Sequence, residues 1–164
     1  MSSRIAVYAG SFDPVTLGHL DVIRRGCGLF DKVIVAVGEN PHKRYLLDLD
    51  TRIRVLEEVT SSLPEVEVTQ FSGLLVQYCR QVGAMAILRG LRAVSDFEFE
   101  FQIGMANRDM APDIESLYLL TDPTNIFISS SLVKEIASNG GDVKRYVPVA
   151  AYEALMEKLR HRSE

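Results

Sequence analysis

No apolar stretch of the chain approaches the ~20 residues needed to cross a bilayer. The residues ahead of the first apolar run include Arg4 but no apolar core of signal-peptide length. A cytosolic protein with no membrane partner is expected. Cysteine is scarce as well: Cys27 and Cys79 make neither a metal set nor a disulfide framework, and both read as small core residues. No charge sign dominates. With a formal net charge of −4, the surface as a whole does not attract nucleic acid. An anion must be recruited by a few placed Arg and Lys side chains, which argues for a small phosphorylated ligand rather than a polymer. Internal repeats, low-complexity tracts and linkers are absent, so residues 1–164 are expected to form one domain with one sizeable core.

Two glycine signatures are also missing. The first apolar run, Ile5-Ala6-Val7-Tyr8-Ala9, does not lead into the G-x-G-x-x-G of a dinucleotide-binding turn. Nor is there a G-x-x-x-x-G-K-[ST] P-loop. That strand leads instead into Gly10-Ser11-Phe12-Asp13-Pro14-Val15-Thr16-Leu17-Gly18-His19, and then Leu20, Ile23 and Arg24 open a helical pattern. A strand, a Gly-containing turn and a helix together aim backbone N–H groups and the positive helix end at one spot, which holds phosphate. Ser11 adds a hydroxyl and His19 an imidazole. The plainer reading makes Gly18 a close-packing residue and His19 a turn cap. The Thr16-x-Gly18-His19 ending itself resembles the T-x-G-H signature of the nucleotidyltransferases.

Val- and Ile-rich runs alternate with helical periodicity along the rest of the chain. Strands are predicted at Ile5–Ala9, Val33–Val37, Val66–Thr69, Met85–Leu88 and Ser116–Leu120. Helices are predicted near Gly18–Leu29, Thr51–Ser61, Gly73–Val82, Val94–Asp109, Leu132–Ser138 and Val149–Arg160. This alternation predicts an α/β fold, a doubly wound, Rossmann-like, five-stranded parallel sheet with helices on both faces. Ligands of such sheets bind outside the carboxyl ends of the strands. The segment Phe97-Glu98-Phe99-Glu100-Phe101 alternates like a strand. Val94, Phe97, Phe101 and Met105 nevertheless make a longer helical stripe, so a helix is expected, with Phe99 off its main face and free to meet another helix or subunit.

Three further clusters stand just after predicted strands. Lys43, in Glu39-Asn40-Pro41-His42-Lys43-Arg44, emerges beside the first turn and can bring a mobile point charge to the same phosphate. Arg89-Gly90-Leu91-Arg92 places two arginines after a buried strand. They read as bidentate phosphate ligands in preference to partners of Asp96, Glu98 or Glu100. Ser129, Ser130 and Ser131 stand at a helix start, where one cap needs one serine and two remain as donors, with Lys134 one turn in.

The Gly10–Pro14 turn, Thr16-x-Gly18-His19, the run Arg89-Gly90-Leu91-Arg92-Ala93-Val94-x-Asp96-Phe97-Glu98 and Ile128-Ser129-Ser130-Ser131 together resemble the bacterial phosphopantetheine adenylyltransferases over nearly the whole chain. The resemblance implies that ATP and 4′-phosphopantetheine give dephospho-coenzyme A and pyrophosphate. It also implies a Mg²⁺ requirement, a homohexamer and feedback inhibition by coenzyme A. Carried over, Ser11, Lys43, Leu75 and Arg89 contact phosphopantetheine. Ser11, Phe12, His19, Gly90, Leu91, Arg92, Glu100, Asn125, Ile126, Phe127, Ile128, Ser129, Ser130 and Ser131 contact ATP. Ser11 stands where the family often has Thr and keeps the hydroxyl. Leu17 replaces an often polar residue, and Asp50-Thr51-Arg52 a more acidic helix start.

The chemistry is then expected to need no general base, because a phosphate monoester with a second pKa near ~6 is already largely dianionic at neutral pH. The protein aligns that phosphate with the α-phosphorus and neutralises growing charge. His19, Lys43 and Arg92 are the expected catalytic residues, and Mg²⁺ is expected on phosphate oxygens. Three alternatives stand beside this reading: a nucleotidyltransferase for another acceptor, such as nicotinamide mononucleotide or glycerol phosphate, an adenine-nucleotide sensor without turnover, and a doubly wound phosphate-binding module used only for assembly.

Overall fold

The computed structural model describes residues 3–161. Five strands, β1 (Ile5–Gly10), β2 (Lys32–Gly38), β3 (Val66–Phe71), β4 (Ala86–Leu91) and β5 (Glu115–Leu120), pair in parallel in the order β3-β2-β1-β4-β5. Between and after them lie α1 (Leu17–Cys27), α2 (Leu49–Thr60), α3 (Leu75–Gln81), α4 (Val94–Met110), α5 (Ser130–Ser138) and α6 (Val149–Arg160). This is the Rossmann-like α/β sheet that the strand–helix alternation predicts.

The period-two geometry of a strand explains why these runs are apolar throughout. Ala6, Tyr8, Val33, Val35 and Leu88 join one buried cluster, which α1, α2, α5 and α6 cover. Val7, Ala9, Ile34, Ala36 and Ile87 join a second cluster with Val76 and Cys79 of α3. Each fully buried Val, Ile or Leu contributes ~1.5–3 kcal/mol, so both faces of the sheet drive folding. Helix α1 lies close to β4 because Gly26 leaves room; a Cβ there would sit 2.7 Å from a Leu88 methyl carbon. Cys79 is buried, which pushes its thiol up to about 11 and makes it unreactive. Among the described residues no helix is long and apolar enough to cross a membrane.

Several boundaries shift for identifiable reasons. Helices α2 and α5 start two residues earlier than predicted, because Asp48 and Ser129 accept the Thr51 and Leu132 N–H groups as N-caps. Gly73 stays outside α3 at φ +83°. The expected end of β4 at Leu88 is three residues short: the strand continues because Arg89, Gly90 and Leu91 still pair with Tyr118, Leu119 and Leu120 of β5.

Helix α4 absorbs the alternating Phe97–Phe101 segment, as its longer period requires. Its apolar stripe nonetheless faces outward. Phe97, Phe101 and Met105 are all more than half exposed, as is Phe99 off that stripe, and Phe97 stacks on Phe101. The side chain of Val94, the remaining member of the expected stripe, lies outside the described residues. The buried side of α4 carries Glu100 and Asn107 instead. Tyr118 of β5 occupies the space a side chain at Gly104 would fill, and its hydroxyl donates to the Glu100 carbonyl at 2.8 Å.

Candidate active site

The sheet opens where its winding reverses. Strand β1 pairs with β4 only from Ala6 to Tyr8, opposite Ala86 to Leu88. Beyond that point β1 stays with β2 to Gly10, while β4 stays with β5 to Leu91. The two halves part at their carboxyl ends and leave a cavity of about 940 Å³. A ligand site is expected at such a switch point. Arg89 and Gly90 line this cavity from within β4 rather than from a loop after it.

The turn after β1 forms the floor. Phe12 sits at φ +48°, a conformation costly for a bulky residue. It is held there by burial and by edge-on packing of its ring against Tyr8 and His19. Thr16 caps α1: its hydroxyl accepts the His19 N–H, and the His19 Nδ1 accepts the Thr16 N–H at 2.9 Å. Histidine thus takes the place of Glu or Gln in a capping box. The cap also sets the chemistry of the ring. An Nδ1 that accepts a backbone N–H carries no proton, so the neutral imidazole bears its hydrogen on Nε2. Burial, and then the positive charges of Arg92 and Arg89, push the His19 pKa down to about 4. At neutral pH the ring is an uncharged donor lining the cavity. Capping and phosphate recognition, posed by the sequence as alternatives, are compatible in one side chain.

Arg89 and Arg92 both line the cavity, and both are also paired. Arg89 donates to the two carboxylate oxygens of Glu100 at 2.7 and 2.5 Å. Arg92 donates to the Ile128 carbonyl at 2.6 Å and to Asp96 at 3.3 Å. The sequence favours phosphate over such partners. The structure shows the ion pairs with Glu100 and Asp96, because helix α4 lays its polar side along the strand end that bears the arginines.

Lys43 lines the opposite wall on the segment between β2 and α2, exposed and without an ion-pair partner among the described residues. That segment is fastened by Asp13, to which the sequence motifs assign no role. Asp13 is 2 % exposed and accepts the Leu46 and Leu47 N–H groups at 2.9 and 2.8 Å and the Lys134 ammonium at 2.9 Å. Lys134 therefore neutralises a buried carboxylate, and its expected contribution to a free positive field is largely offset. Arg52, also unassigned, is fully buried and donates to the Ser11 carbonyl at 2.9 Å. Asp13 lies in the Gly10–Pro14 motif, yet the sequence gives neither residue a role, since both act through chain segments distant in sequence.

The serines divide their work. Ser129 is the α5 cap and Ser130 donates to the Pro14 carbonyl at 2.7 Å. Of the three, only the exposed Ser131 hydroxyl has no protein partner among the described residues. One free donor remains where two were expected, because the tie to Pro14 joins α5 to the turn after β1. The cavity collects Ser11, Phe12, His19, Lys43, Leu75, Arg89, Gly90, Arg92, Glu100, Ile128 and the three serines. Leu91, Asn125, Ile126 and Phe127 do not line it. The Leu91 carbonyl accepts the Thr121 N–H, and Phe127 packs edge-on against Tyr146 outside the gap. Tyr8, Phe71 and Thr121 line the cavity although no motif marks them; their only advance signal is their place at strand ends. Among the described residues, no three His, Cys, Asp or Glu side chains are grouped to hold a metal. Asp13 and Glu100, both in the cavity wall, are committed to Lys134 and Arg89.

The model of a family described as cytidylyltransferase-like matches residues 7–136. A phosphopantetheine adenylyltransferase from Caldanaerobacter subterraneus subsp. tengcongensis is 54% identical over 157 residues, covering 96% of this chain and 98% of that protein. Proteins of the same name from Desulfatibacillum aliphaticivorans and Geotalea daltonii are each 50% identical, over 96% and 97% of this chain and 90% and 99% of their own lengths. A bifunctional NMN adenylyltransferase/ADP ribose pyrophosphatase from Francisella tularensis superposes with a TM-score of 0.75 at 14% identity, over 97% of this chain and half of that one. A putative nicotinate-nucleotide adenylyltransferase from Vibrio parahaemolyticus does so with a TM-score of 0.69 at 18% identity, over 94% of this chain and 99% of that one. At such identities these two speak for the fold alone.

Proposed function

Since the chain belongs to the phosphopantetheine adenylyltransferases, within the cytidylyltransferase-like family, we propose that it transfers the adenylyl group of ATP to 4′-phosphopantetheine, giving dephospho-coenzyme A and pyrophosphate. One observation carries this reading: His19, Lys43, Arg89 and Arg92 line the opening between the sheet halves, and the carboxylates Asp13 and Glu100 there are committed to ion pairs. Such a site holds and neutralises phosphates and leaves neither of these carboxylates free as a base, which suits an acceptor that is itself a dianion.

The acceptor phosphate lies between Ser11 and Lys43 and attacks the α-phosphorus directly, as pyrophosphate leaves from the opposite side. The Ser11 hydroxyl orients the incoming phosphate. Neutral His19 donates Nε2–H to an oxygen of the ATP phosphates, at the positive end of α1. Lys43 and Arg92 meet charge as it grows on the bridging and equatorial oxygens, Lys43 from a flexible stem that follows the shift. Arg89 recognises the acceptor phosphate in exchange for part of its bond to Glu100. Leu75 supplies an apolar wall for the pantetheine arm. Gly90 and the α5 start, from Ile128 to Ser131, border the nucleotide. Leu91, Asn125, Ile126 and Phe127 take part only if the nucleotide extends beyond the cavity. Magnesium would enter with ATP rather than on a protein carboxylate set, and would supply charge neutralisation to the triphosphate. Coenzyme A carries both substrate halves and inhibits from the same cavity.

The exposed stripe of Phe97, Phe101 and Met105 on α4, with Phe99 exposed off its main face, leaves this helix with apolar side chains that suit burial in a homohexamer. The enzyme works in the cytoplasm. The test is Mg²⁺-dependent pyrophosphate release from ATP with 4′-phosphopantetheine, run beside nicotinamide mononucleotide. Release with the first acceptor alone is expected. Release only with the mononucleotide transfers the assignment to another acceptor, and release with neither, from protein that binds ATP, leaves a sensor.

A further inference from the structure

Arg52 is the largest side chain that is fully buried, with 1 % exposure, and no carboxylate pairs with it among the described residues. Its Nη1 donates to the Ser11 carbonyl at 2.9 Å, its guanidinium carbon lies 4.1 Å from the centre of the Tyr45 ring, and its Nε has no hydrogen-bond partner. A buried, unpaired cation is expensive, and an apolar side chain of similar volume serves packing better. A guanidinium in this position asks for a job that an apolar side chain cannot do.

The contacts on either side of Arg52 supply one. Ser11 is in the turn expected to hold the acceptor phosphate. Tyr45 closes the segment that bears Lys43, and its hydroxyl accepts the Asn40 N–H at 2.8 Å. Lys43 is thus enclosed between Asn40 and Tyr45, and Tyr45 lies on Arg52, which also holds Ser11. Arg52 is the shared support of both walls of the acceptor site. Asp13 ties the same segment further on, at Leu46 and Leu47, but reaches neither Asn40 nor Tyr45.

We propose that Arg52 is a positioning residue for adenylyl transfer: by holding the Ser11 carbonyl and the Tyr45 ring together, it keeps the Lys43 ammonium in register with the acceptor phosphate. The proposal rests on the phosphopantetheine adenylyltransferase reading for its catalytic consequence. Its structural content, an ordered Asn40–Tyr45 segment, does not depend on that reading. A misplacement of about 1 Å in an aligned reaction costs ~100-fold in rate, which sets the scale of the effect.

Arg52→Met, Arg52→Lys and Tyr45→Leu are compared with the unaltered protein in two assays. The first measures pyrophosphate release with both KM values; the second measures trypsin cleavage after Lys43 and Arg44 under native conditions. Arg52→Met fills the space and relieves the buried charge, so its thermal midpoint stays at or above that of the unaltered protein. Its kcat falls ~100-fold while the KM for ATP moves less than about threefold, and cleavage after Lys43 and Arg44 speeds up. Arg52→Lys, still a cation over the Tyr45 ring, recovers most of both losses. Tyr45→Leu reproduces both losses with Arg52 in place, and stands in for Arg52→Met if that variant does not fold. A folded Arg52→Met with near-normal kcat overturns the proposal. So does unchanged cleavage in it, or an Arg52→Lys no better than Met. If the unaltered protein releases no pyrophosphate, the reading of the activity fails, and the cleavage comparison alone decides whether Arg52 orders the segment.

Discussion

Replacing His19 with Ala removes two separable things. The first is the cap: the Thr16 N–H loses its acceptor, and such a loss costs ~1 kcal/mol. For a domain of this length that lowers the thermal midpoint by about 2–4 °C at neutral pH. The second is the Nε2–H donor in the cavity. Loss of one placed donor to developing charge costs ~10²–10³ in kcat, so turnover collapses in a protein that is still folded. The pH dependence separates the stability term from ordinary packing. His19 has its folded pKa pushed down from 6.5 to about 4, chiefly by burial. The unfolded chain therefore takes up a proton that the native state refuses. The native ring imposes no stability penalty above about pH 6.5, and stability drains away as pH falls from 6.5 towards 4. At 1.36 kcal/mol per unit the full loss is at most about 3 kcal/mol for this half-buried ring. The Ala variant lacks this term, so it is less stable than the parent at pH 7.5 and gains on it progressively below pH 6. Thermal midpoints of both proteins at pH 7.5 and 5, beside pyrophosphate release at pH 7.5, provide the assay. A constant gap in midpoint across that range refutes the buried, neutral imidazole. Near-normal kcat in folded His19→Ala refutes its role as donor.

Arg89→Ala is expected to raise the KM for 4′-phosphopantetheine at least tenfold and that for ATP much less; a defect confined to ATP shows that the two subsites are divided wrongly. Asp13→Asn weakens the hold on Leu46 and Leu47 and leaves Lys134 without its counter-ion, at a cost of ~3 kcal/mol. Urea unfolding reads that loss directly, and a change under 1 kcal/mol removes Asp13 from its proposed place as a fastener. Phe101→Glu puts a charge on the outward face of α4 and is expected to shift light-scattering mass to smaller species while circular dichroism stays unchanged; an unaltered mass means that this face is not the subunit contact.

The strand–helix alternation was legible because a sheet buried on both faces needs unbroken apolar strands, and Ile5–Ala9 and Val33–Val37 are such runs. The turn from Gly10 to His19 was legible for a similar reason: its residues are adjacent in the chain, and its cap is a local contact between Thr16 and His19. The end of β4 was not legible. Arg89 and Gly90 remain in the strand only because β5, some thirty residues away, continues to pair with them. The direction of the α4 face was hidden as well. Periodicity shows that Phe97, Phe101 and Met105 share a side, but not whether that side meets this chain or solvent.

By itself, then, the sequence determined what depends on neighbours in the chain: element type from hydrophobic period, the helix caps, and a phosphate-suited turn behind the first strand. Tertiary structure decided what depends on residues that meet only after folding. It paired Arg89 with Glu100, turned Lys134 and Ser130 from free donors into ties, and drew Asp13 and Arg52 beneath the Lys43 segment. Charges and hydroxyls interact strongly only within a few ångströms, and contacts at that distance across 11 to 121 residues of sequence exist only once the sheet has brought its strand ends together.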